Sequence, residues 1–322
     1  MAIATGAPAL IKRTASRMRA ETSHHPHLSK DPLIQAALNI LRDHSITRPW
    51  LIMLKEGGYE ILSRPNLKNL AEHNPKSPTN SNPTIILRSG ASVETYAEKI
   101  AHELVHFQFT QTGRIYGQVL TPEGDIQQRL CEEAAVLAIT ADLIHRLTLG
   151  NGTFSGKAHP KMWDAHMASC KHTGAAFMQR IKNGATGGKA QCAAFDQFYE
   201  IDPVNRRSYY EYSISALSHE SEAARRNLAL FNQPFQPNNF IQFLPQGYSN
   251  LAQHIATMKP DMPDHFQLSR AMTEQLNTLF PRRLAGLGMM LPSPLVPPPL
   301  HYANSVLARL PMAGHAAQVC PA

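Results

Sequence analysis

Apolar residues fall at helical spacing from Ser29 to His44, where Leu33, Ile34, Ala37, Leu38 and Leu41 make one stripe and Pro32 suits the first turn. The pattern then shortens to strands. Trp50-Leu51-Ile52-Met53-Leu54, a turn at Glu56-Gly57-Gly58 and Tyr59-Glu60-Ile61-Leu62 read as a hairpin. Residues 64–83 are a polar loop rich in Asn and Pro. They lead to a third strand, Thr84-Ile85-Ile86-Leu87-Arg88, closed by Ser89-Gly90. As an edge, that strand is the kind of surface on which an extended peptide pairs.

From Ser92 to Thr112 the period returns to helical, with Ser92 as N-cap and Gly113 just past the end. Thr121-Pro122-Glu123 opens a second long helix that runs to Leu149 and stops at Gly150-Asn151-Gly152. Further helices are expected over 161–182, 191–200, 204–231, 250–258 and 266–279, and the tail beyond 290 (LPSPLVPPPL) reads as extended. The sum is a helix-rich α+β fold with a small antiparallel sheet packed on the 92–112 helix. We divide it into a flexible tail (1–28), a sheet-bearing lobe (29–150), a mainly helical lobe (151–285) and a proline-rich tail (286–322).

The 92–112 helix holds His102-Glu103-Leu104-Val105-His106, an HExxH motif. Histidines at i and i+4 lie one above the other on a helix, so both imidazoles can reach one ion, and neutral imidazole suits zinc. Glu103 projects beside that ion, where it can take a proton from water at the metal and hand it to a leaving amine. The motif's surroundings (Ala97, Ile100, Ala101, Leu104, Phe107) are apolar, and an unpartnered carboxylate there is costly.

A third ligand must come from another helix, because residues 107–116 (FQFTQTGRIY) hold no third histidine. The next helix offers Arg129-Leu130-Cys131-Glu132-Glu133-Ala134-Ala135, whose alanines allow close approach. Glu132 and Glu133 point about 100° apart. Glu133 shares the apolar stripe of Ile126, Leu130, Leu137 and Ile144 and is favoured. Glu132 is the alternative, otherwise supporting the site from behind or lying at the surface; Cys131 reads as a core thiol.

Composition adjusts this picture. The 322 residues include 16 His, roughly twice the ordinary share, which makes a chance HExxH easier to meet. The net charge of +7 is dispersed and carries no aromatic-basic motif, so nucleic acid is not the expected partner. No apolar run reaches the ~18 residues of a membrane span. Four scattered cysteines form neither a disulfide framework nor a zinc knuckle. The N-terminal residues lack the order of charge and apolarity of a secretory signal, so the expected location is the cytoplasm, or export as an effector without such a signal.

A strand, an HExxH helix and a later helix bearing Glu-Ala resemble the gluzincin clan of zinc metallopeptidases. More narrowly, His-Glu-x-x-His-x-x-Gln is similar to bacterial metallopeptidase-like domains of unknown function whose second helix reads Glu-Ala-x-Ala. His102 to His106, Arg129 and Glu133-Ala134 match them, and Ala194-Phe195, Arg206 or Arg207 and Tyr209-Tyr210 resemble a later segment. The likeness spans roughly 83–217. It implies a zincin-like fold, one zinc ion and hydrolysis of a protein or peptide. The Asp often found four residues after the glutamate ligand in gluzincins is Leu137 here.

Tyr210 and His219 are candidates to donate a hydrogen bond to the oxyanion. His166, Cys170 and His172 hint at a second metal site, but no further ligand accompanies them in the sequence. The expected activity is therefore zinc-dependent peptide hydrolysis with His102, His106 and Glu133 as ligands and Glu103 as general base. The alternative is a non-catalytic metal-containing protein that binds through its basic or helical surface.

Overall fold

The computed structural model describes residues 28–67, 70–74, 82–111, 122–150, 157–200, 235–258, 274 and 318–320. Its first helix, α1 (Pro32–Arg42), starts where Asp31 accepts from the amides of Leu33 and Ile34, with proline in the first turn. It buries Ile34, Ala37, Leu38 and Leu41, the stripe expected from the spacing.

Trp50 to Leu54 is not a strand. It lies in α2 (Thr47–Glu56), which buries Thr47, Trp50, Leu51 and Leu54 at intervals of one and three. A short apolar run satisfies either period, and packing against α1 and the central helix decides for the helix.

The sheet contains β1 (Glu60–Arg64), β2 (Ala71–Asn74), β3 (Thr84–Arg88) and β4 (Gln318–Cys320), in the order β1-β3-β2-β4. The expected all-antiparallel sheet is corrected here. β3 returns between β1 and β2, so it runs parallel to β1, with Glu60 opposite Thr84, and antiparallel to β2, with Ala71 opposite Leu87. Because β3 is central, it is not the free edge expected for a peptide. Its successive Ile85, Ile86 and Leu87 are all buried, as in a strand covered on both faces. β2 occupies part of the expected 64–83 loop.

Helix α3 (Val93–Gln111) carries the HExxH motif, and Ser92 caps it by accepting from the Thr95 amide. Every residue from Tyr96 to Phe109 is buried, so α3 is enclosed on all sides rather than amphipathic. Helix α4 (Pro122–Leu149) starts and stops where the punctuation places it, packs against α3, and buries Ala134, Ala135 and Ala138. The expected 161–182 helix is two, α5 (Lys161–Ser169) and α6 (Lys171–Lys182), broken at Cys170 (φ −130°, ψ 50°). Then come α7 (Gly187–Glu200), the single turn α8 (Pro237–Phe240) and α9 (Ser249–Thr257). α4 packs against α5, α6 and α7. The helix expected over 204–231 lies outside the described residues, as do that expected over 266–279 apart from Glu274, residues 1–27 and all of the proline-rich tail except β4.

No described helix is long and apolar enough to cross a membrane.

Gly150 closes α4 at φ +62°, and a Cβ there would lie 2.4 Å from the Ala158 amide nitrogen. Gly184 has a similar φ of +76° with open space around it. Gly184→Ala therefore incurs only the left-handed backbone cost, about 1–2 kcal/mol. Gly150→Ala adds a backbone collision and should lower stability by clearly more in urea denaturation monitored by circular dichroism.

Candidate metal centre

Burial on α3 forces the chemistry. His102 and Glu103 are fully enclosed and His106 nearly so, in a helix that also buries Glu98, Lys99 and Gln108 among apolar residues. Their spacing sets the two imidazoles one above the other, ring centroids 4.9 Å apart and planes at 72°. Facing them across the helix crossing, α4 presents Glu133, also buried. Its Oε1 lies 3.1 Å from His106 Nε2 and its Oε2 lies 3.9 Å from His102 Nε2. One donor atom from each of His102, His106 and Glu133 falls within 4.8 Å of the others.

Glu132 is buried as well, on the opposite side of the same ring: its Oε1 is 3.0 Å from His106 Nδ1. Two consecutive glutamates of α4 thus straddle one imidazole. Glu133 reaches both histidines, and Glu132 braces His106 from behind. Arg129 is half-buried one turn earlier.

The electrostatics follow. Burial would lower the His106 pKa, but the charge of Glu133 and the bonds to Glu132 and Glu133 outweigh it and raise it to about 10. Burial, helped by the nearby His106, pushes His102 well below the ordinary imidazole value. Glu103, with no hydrogen-bond partner for either oxygen among the described residues, is raised by burial to about 8.

These unsatisfied groups bear on what the site can hold. Both nitrogens of His102, both oxygens of Glu103 and Oε2 of Glu133 are buried without a hydrogen-bond partner among the described residues. Such atoms are rare in folded proteins and costly, at about 1–3 kcal/mol each. A cation held between two imidazoles and a carboxylate would satisfy His102 and Glu133 together, and that donor set suits zinc. The residues present therefore fit a metal ion.

Tyr210 and His219 lie outside the described residues. His166 and Cys170 come together, but His172 is exposed and apart from them. Their companion is Glu98, which sequence reasoning missed along with its buried neighbour Lys99. The available signal was that Glu98 stands four residues before His102, on the same helix face.

Residues 77–241, just over half of the chain, match the model of a family described as a "putative metallopeptidase family (DUF6782)". The chain belongs to this family. No curated protein and no solved structure matches it. A metallopeptidase family implies a hydrolase with a metal ion and a protein or peptide substrate. The matched span takes in both the α3 and α4 side chains just described.

With the metal stripped by chelator, His106 should titrate well above the ordinary imidazole range. Glu133→Gln should bring its midpoint down by about a pH unit or more in the NMR titration of the ring protons. The sign for stability is fixed by the same shift. The contribution of His106 is fully present below about pH 6.5 and is lost as the pH climbs towards about 10.

Proposed function

We propose that this protein is a zinc-dependent peptidase of zincin-like architecture, in which His102, His106 and Glu133 hold the ion and Glu103 is the general base. The observation that carries this reading is the convergence of three buried donors from two helices beside a buried carboxylate that has no partner among the described residues. When bound, zinc supplies Lewis acidity that polarises a carbonyl and lowers the pKa of water.

The remaining work belongs to the chain. Glu132 orients the His106 ring by accepting from Nδ1–H, which leaves Nε2 as the ligand nitrogen and raises its basicity. Glu103 is poised for proton transfer because it is buried beside the three donors with neither oxygen hydrogen-bonded among the described residues, and the charge of a bound cation would favour its ionised, proton-accepting form. It takes the proton of the attacking water and delivers it to the amine that leaves as the peptide bond breaks. The buried apolar side chains around α3 keep bulk water from competing for that carboxylate. Tyr210 or His219 completes the site as the oxyanion donor.

Metal content by mass spectrometry and cleavage of a mixed-sequence peptide library test this together. His102→Ala should lower zinc content by about one equivalent and abolish cleavage. Glu103→Gln should keep that zinc yet reduce turnover by about 10²- to 10⁴-fold. Glu132→Gln should weaken zinc binding by about 10- to 100-fold, less than Glu133→Gln does. Unchanged zinc in His102→Ala would overturn the ligand assignment. Wild-type protein that holds zinc at this centre but cuts no peptide would favour the non-catalytic metal-binding alternative.

A further inference from the structure

Glu98, His102 and His106 stand four residues apart, so one stripe of α3 presents three metal-ligating side chains in succession. The last two meet Glu133. Glu98, one turn earlier, meets a different pair: His166 on α5 and Cys170 at the break between α5 and α6. One donor atom from each of these three also falls within 4.8 Å of the others.

The two clusters share a dimension. Glu98 Oε1 lies 3.1 Å from His166 Nδ1, the same separation as His106 Nε2 and Glu133 Oε1. Around a tetrahedral zinc with bonds near 2.0–2.1 Å, nitrogen and oxygen ligands stand about 3.3 Å apart. Both separations are those of direct hydrogen-bond contacts, and each would need to widen by only about 0.2 Å for the pair to become two ligands of one ion. Glu98 and His166 are fully buried and hydrogen-bond each other through Oε1 and Nδ1, the contact a bound ion would replace, while His166 Nε2 would carry the ring proton. Cys170 is partly buried, and the helix break at its backbone places it one turn beyond His166.

We propose that Glu98, His166 and Cys170 form a second metal site, adjoining the first along α3, for a divalent ion of borderline softness such as zinc. A sulfur ligand selects against magnesium and calcium. On binding, the Cys170 S–H bond breaks, a sulfur–metal bond forms and the proton passes to solvent. His166 ligates as neutral imidazole through Nδ1, and no oxidation state changes. Lys99 sets the affinity. Its Nζ lies 3.3 Å from Glu98 Oε2, so a fixed positive charge stays beside the incoming cation and makes this the weaker of the two sites.

Cobalt(II) and zinc titrations of the chelator-stripped full chain test this, because only a thiolate ligand gives an intense sulfur-to-cobalt charge-transfer band in the near ultraviolet. Wild type should take up about two equivalents, the band growing with the second. Cys170→Ser should bind about one and show no band. His102→Ala should also bind about one but retain the band, which separates failure of the first site from failure of this one. Lys99→Met should develop the band at roughly tenfold lower cobalt. A wild-type titration without the band, or a band that survives in Cys170→Ser, would overturn the proposal.

Discussion

Ionisable side chains inside an enclosed helix are the constraint on which the rest of this structure depends. Helix α3 is covered on every side from Tyr96 to Phe109, yet it carries Glu98, Lys99, His102, Glu103 and His106 within that span. Each would cost several kcal/mol if left charged and alone. The neighbouring elements are consequently chosen for what they bring to α3 as well as for apolar cover. α4 brings Glu132 and Glu133 to His106, and α5 brings His166 to Glu98, whose pKa stays low despite burial because Lys99 and His166 face it. The Lys99–Glu98 contact lies wholly within α3.

That requirement explains the shape of the helical part. α4 packs against α3, and the buried Ala134, Ala135 and Ala138 beside Glu132 and Glu133 keep that part of α4 slim. α5 packs on both α3 and α4, and so its His166 arrives one turn from the HExxH pair. The sheet plays a different part. Its central strand buries Ile85, Ile86 and Leu87, and the sheet packs against α3 without a residue in either three-residue cluster.

Much of this was legible in the sequence wherever punctuation was strong. The Ser92 cap, Pro122 and Gly150 mark the ends of α3 and α4 because capping chemistry and left-handed backbone are local demands. What failed were the features set by tertiary pairing. Ala71-Glu72-His73-Asn74 has no β-branched residue and becomes β2 through its pairing with β3 on one side and β4 on the other. Trp50 to Leu54 favours a strand by composition and a helix by its neighbours. The parallel β1–β3 pair needs β3 to fold back between two earlier strands, which adjacency in the chain does not suggest. Glu98 was missed because, beside Lys99, it looks like an ordinary solvated step on a helix; only the enclosure of α3 makes it a candidate ligand.

The same enclosure changes the question that the sequence left open between Glu132 and Glu133. Successive helical residues diverge by about 100°, so one of the two might be expected to turn away from the site. An imidazole, however, has nitrogens on opposite edges, and a ring inserted edge-on between neighbouring residues meets both. His106 does so, with Glu132 at Nδ1 and Glu133 at Nε2. Glu133 also comes within 4 Å of His102 Nε2. The pair therefore divides into a carboxylate that faces both rings and one that braces a single ring. Position along the helix, not chemistry, separates them: residue 133 faces the side of the ring that His102 shares, and residue 132 faces the other.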